Sequence, residues 1–532
     1  MSQDLTDFIQ VAASTDLPEG GSLGVEVNER PVLLVRIHDV VHAYGNECPH
    51  KGGPLADGLV AGDQVVCPYH QARFGLASGA VEHPPARDDL PVYDVAEVDG
   101  AIFVGPEPLA EPAERKPAPP VLKSQTFVIV GAGAAGCAAA EELRRRGFAG
   151  RIRLLTPEPN LPYDRTDLSK GYLAGASGDE DLPLRDAGFY RRQEITLLTE
   201  SRVDRVDAAA RQVELADGER IAFDQALIAT GSRPRQLEVP GAELRGLFSL
   251  RSWIDASELI GELAGAGRVV IVGAGFIGLE AAASLRGRGL EVALVAPEPV
   301  PLGPVFGEPV GRWLQGLAEA EGVRFHLGRG VKRLEGDQRV RRVQLSDDTS
   351  LEADLVLIAI GVEPRLGPLA GSGLVERGAV PVDERLQTRA DFVFAAGDIA
   401  RLPSPPEGPP RRVEHWAWAE TQGRHAARAM LGDNTPFDEP PFFWTRQWGK
   451  SLQLVGHSAG FDRVELRGEV EAGDFLAGYY RNGELVAAAG AGRSREMIAL
   501  GHLLRSGRAA GIAPAAFAGE DHDLVALARE AD

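Results

Sequence analysis

The sequence predicts a multidomain chain: an all-β N-terminal domain, two α/β domains of the doubly wound type, and an α+β domain at the C-terminus. Three observations point to it. Short strand-like runs broken by Gly and Pro fill the chain up to about Gly105. Two strand–glycine turn–helix units then recur as a weak internal repeat. Short strand-like runs return after about Phe437. The 532 residues suit three or four domains at roughly 100–200 residues each.

In the first region, Val32–Ile37 and Ala101–Val104 read as strands. Pro106 to Pro120 carries six prolines and mixed charge, and reads as an extended linker. The expected limits are an all-β domain at 1–105 and a Pro-rich linker at 106–124. A first nucleotide-binding domain follows at 125–247 and resumes at 367–435. A second, at 248–366, is inserted within it, and a C-terminal domain closes the chain at 436–532.

Composition narrows the function. Hydrophobic residues make up 44% and charged residues 25%, which suits globular domains. No apolar run approaches the roughly 18 residues of a membrane span, so no membrane contact is expected. The N-terminal residues lack the basic and apolar stretches of a signal peptide, so a cytoplasmic location is the expectation. The net charge of −21 argues against nucleic acid as a partner. Three cysteines, Cys48, Cys67 and Cys137, are too few for a disulfide framework.

Two of them fall in Cys48-Pro49-His50 and Cys67-Pro68-Tyr69-His70, a C-x-H-x16-C-x2-H pattern. Two thiolates and two imidazoles suit a 2Fe–2S cluster of mixed ligation, with thiolates on one iron and neutral histidines on the other. Gly52, Gly53 and Pro54 mark a tight loop after the first pair. A zinc site is the competing reading, but zinc fingers pair ligands of one type, and each pair here mixes Cys with His. The region, with Ala72-Arg73-Phe74 after it, resembles the Rieske ferredoxin family. That resemblance implies metal ligation by Cys48, His50, Cys67 and His70. Gly53 and Tyr69 stand where high-potential members carry a bracing disulfide, which implies the lower-potential, ferredoxin-type branch. Tyr69 reads as a packing residue. Gln71 stands where the family often has glycine.

Phe127–Val130 is a buried-strand run, followed by Gly131-Ala132-Gly133-Ala134-Ala135-Gly136 and a helical run from Cys137 to Arg146. This is G-x-G-x-x-G between a strand and a helix, the setting in which it binds a dinucleotide pyrophosphate. Glu158, 22 residues past Gly136, could hold a ribose hydroxyl. The second unit runs Val269–Val272, then Gly273-Ala274-Gly275-Phe276-Ile277-Gly278, then Leu279–Arg286. Ala296 stands where an acidic residue is usual, and Glu298 is the nearest substitute. A carboxylate there favours NADH, with NADPH left open. Two Rossmann-type sites imply two dinucleotides: a bound FAD at the first and a transient nicotinamide at the second. Ala229-Thr230-Gly231 and Ala359-Ile360-Gly361 each follow a strand-like run, and Gly397-Asp398 ends another. Asp398 could bind a flavin ribityl hydroxyl or serve as a helix N-cap.

Pro162-Tyr163-Asp164-Arg165-Thr166-Asp167-Leu168-Ser169-Lys170 is similar to the P-Y-x-R-P-x-L-S-K stretch of bacterial ferredoxin reductases and the apoptosis-inducing-factor group. With the N-terminal motif, the chain resembles the Rieske-fused, apoptosis-inducing-factor-like branch. The resemblance implies that Arg165 contacts FAD. It also implies that Lys170 lies beside the flavin ring and pairs with Glu280, the catalytic couple, against the plainer reading of an exposed Lys–Glu pair. Trp416, in Glu414-His415-Trp416, would pack on the flavin, and Trp444 would cover it; each could equally be core. The FAD set is therefore Gly131, Gly133, Ala135, Gly136, Glu158, Arg165, Lys170, Ala229, Thr230, Gly231, Gly397, Asp398 and Trp416. The NAD set is Gly273, Gly275, Phe276, Ile277, Gly278, Glu298 and Gly361.

Cys137 alone cannot form the redox cysteine pair of disulfide-reducing flavoenzymes, and reads as a small buried residue. The expected function is an oxidoreductase taking electrons from NADH via FAD to the fused cluster and on to an unnamed acceptor. The alternative is an NADH-responsive redox sensor of the apoptosis-inducing-factor type. A monomer and a homodimer are both compatible with the sequence.

Overall fold

In a computed structural model of the chain, residues 5–109, 123–403 and 412–530 are described. They form two compact units. One joins the N-terminal region with residues 439–444 and 452–532, and the other holds residues 116–438 and 445–451.

The N-terminal region is built on a six-stranded antiparallel sheet ordered Ile9–Ala13, Ala101–Pro108, Val92–Val98, Val40–Gly45, Arg30–Ile37, Ser22–Val27. Val32-Leu33-Leu34-Val35 is buried along its whole length. Successive side chains of a strand point to opposite faces, so Leu33 and Val35 enter one core while Val32 and Leu34 enter another. A four-stranded antiparallel sheet, Leu59–Ala61, Gln64–Val66, Arg73–Gly75 and Val81–His83, completes the region. The two Cys/His loops flank it, one ahead of its first strand and one between its second and third. The strand expected at 101–104 extends to Pro108, which pairs with Tyr93. Pro106 and Pro108 lack an N–H but lie beyond the last pairing with Ile9–Ala13, at Val104, so no ladder bond is lost there. The rest of the Pro-rich stretch lies largely outside the described residues.

In the second unit the internal repeat becomes a repeat of architecture. A five-stranded parallel sheet ordered Ile195–Leu198, Arg151–Leu155, Thr126–Val130, Gln225–Ile228, Val393–Ala395 is accompanied by a three-stranded antiparallel sheet over Val203–Ala222. The other half has a parallel sheet ordered Leu247–Phe248, Leu355–Ile358, Arg268–Val272, Glu291–Ala296, Arg324–Leu327, with its own antiparallel sheet over Val331–Glu352. Ser232–Pro234 and Val362–Pro364 pair antiparallel and tie the halves together. Both helices start earlier than the sequence suggests, at Ala134–Arg145 and Phe276–Gly287, with the middle glycines Gly133 and Gly275 as N-caps. The last three motif residues are already helical, because the third glycine must pack against the preceding strand.

The C-terminal region is a five-stranded sheet over Phe442–Ala491 followed by the helix Ser494–Arg505 and short helices at Pro514–Ala518 and Leu524–Arg529. Among the described residues no helix is long and apolar enough to cross a membrane.

Candidate functional site

The two Cys/His loops are built alike. The Cys48 N–H donates to Gly53 O at 2.9 Å and the Gly52 N–H to Cys48 O at 2.9 Å. In the second loop the Cys67 N–H donates to Ala72 O at 2.9 Å and the Gln71 N–H to Cys67 O at 3.1 Å. Both closures require a left-handed residue four positions past the cysteine, Gly52 at φ +68° and Gln71 at φ +56°. Glycine adopts that conformation freely and glutamine does not. The turn therefore forms without the glycine the family often carries there.

The four donors face each other as two pairs. The Cys48 and Cys67 thiols share a hydrogen bond, which pushes the Cys48 thiol up, with burial adding to it, and lowers that of Cys67. The His50 and His70 Nδ1 atoms converge to 3.0 Å. A cluster with one iron per pair asks for this division, thiols with thiols and imidazoles with imidazoles. Backbone N–H groups of His50 and Lys51 point at the Cys48 sulfur, and those of Tyr69 and His70 at the Cys67 sulfur. A Cβ on Gly53 would come within 2.9 Å of Cys67 Sγ and 3.0 Å of the Tyr69 ring. Tyr69 thus fills the space beside Gly53 that a bracing disulfide would take, while 47% of it stays exposed. The Trp444 ring lies 4.5 Å from that of His70 and 6.1 Å from that of His50. The sequence did not anticipate this contact; it offered Trp444 as a cover for the flavin or as a core residue.

In the second unit, the three motif glycines of each half do different work. A Cβ on Gly131 would meet Ala229 O at 2.1 Å, and one on Gly136 would meet Gly131 O at 1.8 Å. Gly133 faces open space, the approach a pyrophosphate needs. The second half repeats the pattern: Gly273 faces Ala359 O at 2.3 Å, Gly278 faces Gly273 O at 2.1 Å, and Gly275 faces nothing. Gly231 and Gly361 both turn at positive φ, +65° and +91°.

Glu158, Tyr163 and Arg165 form one cluster. Tyr163 Oη donates to Glu158 at 2.5 Å, and Arg165 donates to Glu158, to Tyr163 Oη at 2.7 Å and to Arg251 O at 2.9 Å. Burial pushes the Glu158 pKa up, but the Arg165 charge and these hydrogen bonds outweigh it and hold it below the ordinary carboxylate range. Asp398, buried, accepts from Ser232 Oγ at 2.5 Å and Arg251 at 2.9 Å. Among the described residues no helix starts beside Asp398, and the next begins at Trp416, with His415 as N-cap. Gly397 donates to Gln422 at 2.6 Å, and a Cβ on it would lie 3.4 Å from the Ala135 Cβ. Thr230 Oγ1 donates to Arg365 O at 2.8 Å. Trp416 packs against the core of this half.

Lys170 and Glu280 meet at 2.8 Å. Glu280 is 4% exposed and also accepts from Ser169 Oγ at 2.5 Å and Thr445 Oγ1 at 2.7 Å. Lys170 Nζ further donates to Thr166 O at 2.9 Å. Glu280 is buried and Lys170 half-buried, unlike a fully exposed ion pair. On the nicotinamide side the Phe276 ring packs edge-on against Phe306 and His415, at 5.8 and 6.3 Å. Ile277 is 40% exposed beside it. Glu298 is half-buried, and its carbonyl accepts from Gly328.

The pyridine nucleotide-disulphide oxidoreductase family matches residues 125–423, more than half the chain. The chain belongs to this family. A Rieske [2Fe-2S] domain matches residues 7–94 and a reductase C-terminal domain residues 442–528. The chain is 36% identical to apoptosis-inducing factor 3 of Homo sapiens, over 93% of this chain and 83% of that one. It is 35% identical to the benzene 1,2-dioxygenase system ferredoxin–NAD(+) reductase subunit of Pseudomonas putida, over 71% and 92%. The solved ferredoxin reductase for the CYP199A2 system of Rhodopseudomonas palustris superimposes with a TM-score of 0.73 at 34% identity, covering 76% of this chain and all of that one. This member of the family is therefore a ferredoxin-reductase-like FAD oxidoreductase with a fused Rieske domain, and its cofactors are FAD, NAD(P)H and a 2Fe–2S cluster. Despite the family's name, Cys137 is the one cysteine within residues 125–423. It is buried, with its thiol donating to Ala132 O at 3.2 Å.

Sequence reasoning missed Arg251, Arg365 and Thr445. Arg365 was within reach: Ala229-Thr230-Gly231-Ser232-Arg233-Pro234-Arg235 runs parallel to Ala359-Ile360-Gly361-Val362-Glu363-Pro364-Arg365. Arg329 also escaped notice; its N–H reaches Ala296 O at 3.1 Å, and its guanidinium is held by Asp347 at 2.8 Å.

Proposed function

We propose that this flavoprotein oxidises NADH, passes the electrons through FAD to its own Rieske cluster, and from there to an external acceptor. The Lys170–Glu280 couple, anchored by the buried Glu280, carries the proposal, since it sets a cation at the junction of the two nucleotide-binding halves. Bound FAD would supply the hydride acceptor and the conversion from two-electron to one-electron transfer, and the cluster a one-electron carrier.

The residues have separable tasks. The Gly131–Gly136 turn and the helix it opens bind the FAD pyrophosphate, with Arg165, Arg251 and Arg365 supplying positive charge around Glu158 and Asp398. Glu158 and Asp398 offer carboxylates to ribose and ribityl hydroxyls. Glu280, held by Ser169 and Thr445, orients Lys170, which would stabilise negative charge on reduced flavin. The Gly273–Gly278 turn binds the nicotinamide dinucleotide, with Phe276 and Ile277 closing over it. Glu298 favours NADH over NADPH. Cys48, His50, Cys67 and His70 hold the cluster.

Anaerobic NADH titration followed by visible absorption and low-temperature EPR tests the proposal. Flavin bleaching together with a Rieske-type signal is the expected result. Bleaching with iron and sulfide present but no cluster signal would overturn the internal transfer. Similarity to apoptosis-inducing factor 3 over 93% of the chain supports a second reading, an NADH-responsive sensor. That reading requires slow reoxidation and an NADH-dependent change in oligomer size.

A further inference from the structure

The second cluster loop, Cys67–Gln71, is not free within its compact unit. Gln453, on the C-terminal strand Lys450–Gly456, is 4% exposed. Its amide donates to Pro68 O at 2.9 Å and to Tyr69 O at 3.2 Å. Those are the two carbonyls between Cys67 and His70. Gln71 closes the same loop. It occupies the left-handed position that glycine fills in the first loop, so its backbone is strained. Its side chain lies 3.5 Å from Gln453 Oε1. It also faces Gly501 on the helix Ser494–Arg505, where an added Cβ would come within 3.2 Å of its Oε1.

Just beyond the loop, the buried Arg73 meets Glu439 at 2.7 Å, and Arg505 meets the other oxygen of Glu439 at 3.1 Å. One carboxylate thus joins an arginine of the Rieske region to one of the C-terminal helix. Burial pushes the Glu439 pKa up, and the Arg73 charge more than reverses that, holding it well below the carboxylate range. Leu59 and Val66 share a buried apolar cluster with Phe442, Val455 and Ile498. Apolar burial, a shared carboxylate and direct hydrogen bonds to the ligand loop all act at one place.

We propose that the C-terminal domain is a fixed dock for the second cluster loop, with Gln453 and Glu439 as positioning residues that hold the loop and His70 in one orientation. The Rieske region then stays with the C-terminal domain rather than alternating between docked and undocked states. Gln71 is the residue that makes the dock selective, because a glycine would relax the turn but lose the side chain that reaches Gln453 and Gly501. The role in orienting His70 rests on the reading that these loops hold a 2Fe–2S cluster; the docking itself does not.

The test uses the full holoenzyme with a specific protease site placed within residues 110–122. After cleavage, the two pieces should co-elute at low micromolar concentration. Q453L and E439Q should raise their dissociation constant at least tenfold, with flavin content unchanged as a check on folding. Q71G should do the same without lowering the thermal midpoint. Q453L should also shift the g-values and reduction potential of the cluster, which loss of packing alone would not do. Separation of the wild-type pieces at that concentration would overturn the dock. Unchanged association and EPR spectra in Q453L and E439Q would overturn the positioning role. Purified protein without iron and sulfide would instead sink the cluster assignment and leave the co-elution result standing.

Discussion

At the scale of single residues, Glu280 concentrates the most interactions of interest. Its carboxylate takes hydrogen bonds from Lys170, Ser169 and Thr445 while nearly fully buried. Removing its charge leaves Lys170 without its ionic partner, held only through Thr166 O. E280Q should slow flavin reduction by NADH roughly 100-fold, the scale on which small misplacements act. It should also lower stability by about 2 kcal/mol, the worth of hydrogen bonds to a charged group. Stopped-flow reduction at the wild-type rate would remove Lys170 and Glu280 from the mechanism. Lys170 and Glu280 were singled out in the sequence because each sits in a recognisable local stretch. Thr445 was not, because nothing in Phe443-Trp444-Thr445 announces a partner 165 positions earlier. Trp444 was noticed, but its contact with the His70 ring was not foreseen: aromaticity is visible in a sequence, and the ring it packs against is not.

At the scale of elements, the glycine turns allow a paired prediction. A Cβ at position 136 collides with backbone at 1.8 Å, while one at 133 meets nothing. G136A should cost about 3 kcal/mol or more through overpacking and yield little folded protein. G133A should fold normally yet bind FAD at least tenfold more weakly, as measured by flavin retention on dilution. Equal behaviour of the two variants would contradict the division of labour among the glycines. The helix carrying that turn is held to the helix Trp416–Met430 by Glu142, which Arg428 meets at 2.7 Å. Burial pushes the Glu142 pKa up, but the charges of Arg428 and Arg424 and the hydrogen bonds of Arg428 and Arg146 hold it at about 2, against an ordinary 4.5. A depressed carboxylate stabilises the folded chain fully above pH 4.5 and loses that contribution as pH falls toward 2. The difference corresponds to about 3 kcal/mol. E142Q should lower the thermal midpoint at pH 7 and flatten its dependence on pH below 4.5. A variant as acid-sensitive as the wild type would show that other groups govern that limb. Strands and helices of these elements were legible within a few residues, since hydrophobic runs and glycine turns are local. Their starts were not, because the third glycine belongs to the helix for reasons of packing.

At the scale of the whole molecule, carrying donor and acceptor on one chain makes the first electron transfer a first-order event. Reduction of the cluster after flavin reduction should proceed at a rate independent of protein concentration, because both groups are carried on one chain. A rate that rises linearly with concentration would mean that transfer runs between molecules. The sequence by itself pointed to the chemistry: two Cys/His pairs as cluster ligands, two dinucleotide turns and a single cysteine unable to act as a redox pair. These are short contiguous patterns whose chemistry depends on spacing along the chain. It also indicated four modules, one nucleotide-binding domain inserted within the other. Only the tertiary structure decided that the Rieske and C-terminal regions form one compact unit, through Arg73, Glu439, Gln71 and Gln453. It likewise decided that Arg251 reaches Asp398 and Thr445 reaches Glu280. Such partners lie more than a hundred positions apart. They are chosen by the packing of sheets and helices against one another, and no local periodicity encodes that choice.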